Sequence, residues 1–228
     1  MKLLGATEGA RAARWQAVWL FALALGLRLV VAAVGHKRFP PADDGTFYHA
    51  VAARIADGAG YTWAWPDGVV TYAAHYPVGY PALLGFVYAL IGASPLSAML
   101  LNALLGALLV VGVHACALRS GSLLRARVAG LAVALHPTLV LYTVAVMTEA
   151  AAACVLVLLA AYALFLGDSA RGWAWRTVLG LGGALLVFMR PQLLPILPRL
   201  GAVAVGVPVG TSGWREFGLS ERGAVEVL

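Results

Sequence analysis

Tyr80-Pro81-Ala82-Leu83-Leu84-Gly85-Phe86-Val87-Tyr88-Ala89-Leu90-Ile91-Gly92 is the stretch on which the fold turns. It carries no charge, so it reads either as a membrane span or as a helix lying at the membrane surface. Its length favours the second. About thirteen residues rise roughly 20 Å as an α-helix, against a hydrocarbon core of about 30 Å. Pro81 and Pro95 oppose extension at either end, because proline interrupts helix continuity. Charge decides the matter. If residues 80–92 stay at the surface, the cytoplasmic segments are 1–14, 119–127 and 168–176. These hold Lys2, Arg11, Arg14, Arg119, Arg125, Arg127, Arg171 and Arg176, while the loop on the opposite side holds Lys37, Arg38 and Arg54. A spanning reading would carry the two later basic loops outside and reverse the usual asymmetry. Residues 80–92 are therefore expected to form an interfacial or re-entrant helix, with Tyr76, Tyr80, Phe86 and Tyr88 at headgroup depth.

The composition frames this choice. The 228 residues are 62% hydrophobic and 11% charged, where soluble domains carry about 25% charged residues. The mean hydropathy is +0.87. Lipid requires every spanning backbone group to be satisfied internally, which leaves helices or closed barrels. Long Leu- and Ala-rich runs without period-two alternation select helices. The net charge of +6 is spread between apolar runs rather than gathered in a patch, so it reads as a topology signal and not as a nucleic-acid surface. Cys116 and Cys154 lie inside apolar runs and read as small packing residues. Lys2, Arg11 and Arg14 followed by an apolar run resemble a secretory signal. The run at 15–35 is about twenty residues, longer than a signal core and long enough to span.

An all-α integral membrane protein with about five to six spans is thus expected. The spans are placed at 15–34, 96–118, 128–147, 150–167 and from 177 to Met189. A last apolar segment, 192–210, is broken by Pro195, Pro198 and Arg199. Between the first two spans lies one hydrophilic stretch, 36–95, which holds Asp43, Asp44, Asp57 and Asp67. Glu149 emerges on the same side. Arg190 lies fourteen residues beyond Arg176, about 21 Å along a helix, and Arg28 is similarly deep in the first span. Carboxylates and guanidiniums so converge on the outer side, which charges in a membrane seldom do without function.

Each candidate has two readings. Asp44 is a good helix N-cap, with Tyr48, Val51, Ala52 and Ile55 on one face behind it. It is equally a carboxylate able to take a proton or bind a divalent cation. Asp43 is a solvated neighbour or a second ligand. Glu149 after Thr148 compensates a helix dipole or forms the floor of the outer loop. Arg190 and Arg28 either snorkel or clamp phosphate with the guanidinium fork. His49 and His75 lack the paired spacing of a metal motif. His114 and His136 fall within spans and read as packing residues.

Taken together, these strings resemble the first part of a multi-span glycosyltransferase of the C-type fold. That group includes protein mannosyltransferases, the aminoarabinose transferases of lipid A and oligosaccharyltransferase catalytic subunits. The resemblance covers about residues 15–198. It rests on Asp44-Gly45-Thr46-Phe47-Tyr48-His49 with Ala52 and Gly58-Ala59-Gly60-Tyr61, and on Tyr76-Pro77-Val78-Gly79-Tyr80-Pro81. Thr148-Glu149 and Arg190-Pro191 complete it. It implies that 1–200 is the N-terminal part of such a module, with 36–95 as its external loop, and leaves 201–228 as an unmatched tail. It implies transfer of a sugar from a polyprenyl-phosphate donor to a glycan, lipid or protein acceptor. The site would face the outside of the plasma (inner) membrane, with the N-terminus cytoplasmic. Asp44, with Asp43 beside it, would be catalytic. Arg190, Tyr48, His75, Tyr80 and Arg28 would bind substrate, and Asp44 with Glu149 would hold a divalent cation (Mg, Mn or Zn) where one is used. Members of that group have more spans and often a soluble C-terminal domain. An inactive truncated homologue or a membrane scaffold is therefore the alternative. A transporter using Arg28, Glu149 and Arg190 is a third reading, which the lack of inverted repeats disfavours.

Overall fold

The computed structural model describes residues 2–166 and 173–198. Part of the basic segment 168–176, the residue Arg199 and the tail 201–228 lie outside them. The first helix, α1 (Lys2–Gly35), leads into the hydrophilic stretch, which folds as α2 (Asp44–Ala56), an antiparallel hairpin of β1 (Thr62–Ala64) and β2 (Val70–Tyr72), and α3 (Gly79–Ile91). In the hairpin, Trp63 lies opposite Thr71. Then follow α4 (Pro95–Leu118), α5 (Leu123–Ala134), α6 (Pro137–Leu141), α7 (Thr148–Leu166), α8 (Trp173–Met189) and a 3₁₀ turn, Pro191–Ile196.

The boundaries have local causes. Gly92, at φ 88°, ends α3 in a conformation that side-chain-bearing residues avoid. Ser94 then caps α4 by accepting from the Ser97 N–H at 3.1 Å, with Pro95 in the first turn. Ser122 caps α5 in the same way.

The fold is mainly α-helical, and three helices are long and apolar enough to cross a membrane: Glu8–Gly35, Pro95–Leu118 and Thr148–Phe165. α3 and α8 are shorter apolar helices. α4 is the central element, packed on α1, α5 and α7, while α2 packs on α3 and α8 contacts both α7 and α3. The contact face of α4 carries Ala98, Ala103, Gly106 and Ala107, all buried. Small residues let helix backbones approach closely, which is how helices associate where lipid already matches the apolar side chains.

The expected span at 128–147 does not form as one helix. The segment breaks into α5, α6 and an irregular stretch that runs to α7. The cause is His136-Pro137. Proline lacks the N–H that would continue α5, and it pushes the preceding residue out of the α region. His136 accordingly sits at φ −63°, ψ 119°. The broken helix leaves carbonyls without partners, and two polar side chains buried in neighbouring helices take them up. Arg28 donates to the Ala134 carbonyl at 3.3 Å and to its own Ala24 carbonyl at 3.2 Å. Asn102 donates to the Ala145 carbonyl at 2.6 Å and the Thr143 carbonyl at 3.4 Å. Its own carbonyl accepts from the Tyr80 hydroxyl at 3.1 Å. One amide thus joins α4, α3 and the irregular stretch. Non-helical backbone at this depth is tolerated only where protein groups satisfy it.

Asn102→Leu keeps the shape but leaves the Ala145 carbonyl and the Tyr80 hydroxyl unpaired. Each orphaned buried group costs about 1–3 kcal/mol. Thermal unfolding in detergent should show a lowered melting temperature. Adding Tyr80→Phe to that variant should cost less than the same change in the wild-type background, because its hydroxyl is then already unpaired.

Candidate functional site

Two glycines set the site. Gly79 begins α3 directly against the end of α8. A Cβ there would come within 2.7 Å of the Met189 nitrogen and the Phe188 carbonyl carbon, both backbone atoms that cannot give way. Gly45, in the first turn of α2, lies against the backbone of Val146, where a Cβ would meet the Val146 carbonyl at 3.2 Å. The first contact brings Arg190 beside the start of α3. The second brings the start of α2 beside the segment that enters α7.

Two polar pairs lie beside these contacts. The Tyr76 hydroxyl donates to Asp44 Oδ1 at 2.5 Å. Arg190 Nη2 pairs with Glu149 Oε1 at 3.1 Å, each side chain about a third exposed (35% and 30%). Glu149 Oε2 is buried without a partner. Tyr48, 5% exposed, lies between the pairs. Its phenol is pushed up to about 12, first by burial and then by the negative charge of Asp44, with Tyr76 and Glu149 adding and Arg190 opposing. The Tyr76 phenol is also raised, chiefly by its hydrogen bond to Asp44. Both stay protonated at neutral pH, so Tyr76 remains a donor that fixes the carboxylate.

Aromatic rings wall this cluster. Phe47 stacks on Trp63 with centroids 5.0 Å apart and contacts Tyr76 at 4.8 Å. Tyr48 meets Tyr76 and Tyr80 edge-on at 5.3 and 5.7 Å. Tyr61 donates to the Tyr76 carbonyl at 2.5 Å and holds that residue in place. The result is a carboxylate and a guanidinium, each held by a partner, beside stacked rings. Such a site can accept a proton, bind an anion and pack an apolar ring face.

The sequence-predicted residues divide on this geometry. Asp44, Tyr48, Glu149 and Arg190 come together. His75 is exposed at the rim, its ring edge-on to Tyr76 at 4.7 Å. Asp44 is not the N-cap. That position is Asp43, at φ 48°, and its side chain makes no capping bond. Asp44 stands in the first turn and is spent on Tyr76. Tyr80 is fully buried and occupied with Asn102, so it braces the core rather than facing a ligand. Arg28 is 1% exposed among α1, α4 and α5, with Gly106 packed on its guanidinium, and it is not brought to the cluster. Asp44 and Glu149 share a neighbourhood, but their partners are a phenol and a guanidinium. Among the described residues no group of three or more His, Cys, Asp or Glu is placed to hold an ion. Tyr76 as the partner of Asp44, the Phe47 and Trp63 platform, and Asn102 were not singled out as site residues by the sequence. A lone Asn in the apolar run 96–118 was the available signal for the last.

Comparison of the chain with protein-family models, with curated proteins and with solved structures finds no match.

Two outcomes test this architecture. Gly79→Ala should destabilise the protein by about 1–3 kcal/mol, the usual cost of overpacking, seen as a lower melting temperature. His49, in α2, hydrogen-bonds the Tyr88 hydroxyl of α3 at 2.5 Å, and burial holds its pKa below the ordinary 6.5. A depressed folded-state pKa contributes stability that is present above the unfolded value and lost as pH falls below it. Melting temperature should therefore drop between about pH 7.5 and about pH 5.5, and His49→Gln should flatten that part of the profile.

Proposed function

We propose that this chain is a C-type-fold glycosyltransferase module, embedded in the plasma (inner) membrane with its N-terminus cytoplasmic and its site facing out. On this reading the chain crosses the membrane five to six times. The broken α5–α6 segment and α8 supply crossings beyond the three long helices. The observation that carries the proposal is the pairing of Asp44 with Tyr76 and of Glu149 with Arg190 around one buried tyrosine, from chain regions about a hundred residues apart.

The reaction transfers a sugar from a polyprenyl-phosphate donor. Arg190, held by Glu149, binds the donor phosphate through the donors its partner leaves free. Phe47 and Trp63 pack a face of the sugar. Tyr76 holds Asp44 Oδ1, and Oδ2 takes the proton of the acceptor hydroxyl or amine. The acceptor heteroatom forms a bond to the anomeric carbon as the bond from that carbon to the phosphate oxygen breaks. Polyprenyl phosphate leaves with the electron pair, and a single displacement inverts the anomeric centre. The resemblance to transferases that use a divalent cation assigns one to Asp44 and Glu149. Glu149 Oε2 has no protein partner and Asp44 is bonded through Oδ1, so the two carboxylates would hold such an ion, which would supply charge neutralisation at the donor phosphate.

Asp44→Asn keeps the hydrogen bond from Tyr76 but removes the base. Transfer of radiolabelled sugar from a polyprenyl-phosphate donor in reconstituted membranes should fall by about 10²–10⁴-fold. Undiminished transfer would refute the role of Asp44. Failure of the unaltered chain to bind any polyprenyl phosphate would point instead to a membrane scaffold.

A further inference from the structure

Behind the contact of Gly45 with Val146 lies a second feature that the transfer reaction does not use. Residues 38–43, which join α1 to α2, face residues 144–147, which enter α7, across a cleft of ≈ 460 Å³. Its position fixes its depth. Arg38 is three residues beyond Gly35, the last residue of one candidate span, and Met147 immediately precedes Thr148, the first of another. The cleft therefore opens where two spans end, at the level of lipid headgroups. α1 and α6 pack on each other beside it. They carry outward-facing Val30, Val34 and Leu141, each more than half exposed, and Phe39 on the rim is 56% exposed. An apolar surface for acyl chains thus adjoins the cleft.

The lining is mainly apolar, with two charged residues, Arg38 and Asp43, both exposed. They do not pair with each other: the ion pair among the described residues is Glu149 with Arg190. Asp43 makes no capping bond to α2. It is also the one non-glycine residue at positive φ among the described residues, a conformation that costs of order 1–3 kcal/mol and persists only where the surroundings hold it. The two adjacent aspartates thus part: Asp44 turns to Tyr76, and Asp43 lines the cleft.

An unpaired guanidinium and an unpaired carboxylate in one cleft at headgroup depth complement a zwitterion. We infer that this cleft binds the headgroup of phosphatidylethanolamine from the surrounding bilayer, with the phosphate on Arg38 and the primary ammonium on Asp43. Phosphatidylcholine offers no N–H to the carboxylate, and phosphatidylglycerol offers it no cation. The inference stands on the cleft alone and holds whether or not the chain transfers sugar.

Native mass spectrometry of the full chain in detergent tests it, with phosphatidylethanolamine, phosphatidylcholine and phosphatidylglycerol of matched acyl chains added in turn. Phosphatidylethanolamine should be retained about tenfold more tightly than the other two, the value of one charge-assisted hydrogen bond. Arg38→Gln should weaken retention of all three. Asp43→Asn should abolish the preference for phosphatidylethanolamine over phosphatidylglycerol, with the melting temperature confirming that the variant is folded. Equal retention of the three lipids, or a preference that survives both substitutions, would overturn the inference.

Discussion

The fold depends on satisfying backbone carbonyls left free where the chain breaks between α5 and α7, inside a bundle of apolar helices. Pro137 ends α5 and opens the short α6, after which the chain runs irregularly to Thr148. In a hydrophobic setting such a stretch persists only if other protein groups take its carbonyls. Asn102 and Arg28 do this from α4 and α1. Asn102 also accepts from Tyr80, so the same amide ties the irregular stretch to α3. The entry to α7, and with it Glu149, is positioned through this join.

Close approach supplies the second constraint. Where Gly79 meets the end of α8, backbone contacts backbone with no room for a Cβ, and where Gly45 meets Val146 the approach is nearly as close. These contacts gather the two pairs into one site: the first brings Arg190 beside the start of α3, close in sequence to Tyr76, and the second brings Asp44 beside the segment that leads to Glu149. The aromatic rings of the hydrophilic stretch then close around the pairs; burial keeps the Tyr48 phenol protonated, and the hydrogen bond to Asp44 does the same for Tyr76. The site is organised by packing at its base and by hydrogen bonds at its rim.

Much of this was legible in the chain itself, and the exceptions share a cause. Runs 96–118 and 150–167 appear as α4 and α7 nearly to the residue, because their length and uniform apolarity leave no competing structure. The short helix at 80–92 was legible from its prolines. The run 128–147 reads as one continuous helix because hydropathy counts residues and ignores backbone continuity, and the structure breaks it into α5, α6 and an irregular stretch. His136-Pro137 was visible, but nothing local told that Asn102 and Arg28 would make the break tolerable. Glu149 and Arg190 stood out as charges among apolar neighbours, and Asp44 as one of two adjacent carboxylates in the hydrophilic stretch. Tyr80 and Arg28 stood out too, yet they are consumed as internal braces, and that fate depends on contacts with α4 and α5.

The sequence by itself determined the helical, membrane-embedded character of the chain, the hydrophilic stretch between the first two long helices, and the acids and bases available for a site. Those follow from composition, run length and proline placement, which act locally. Tertiary structure alone decided which of the two adjacent aspartates meets Tyr76 and which lines the cleft. It also decided that Arg190 meets Glu149 while Arg28 is enclosed. A side chain's partner is set by which backbone lies opposite it, and that is fixed by helix contacts between residues far apart in the chain.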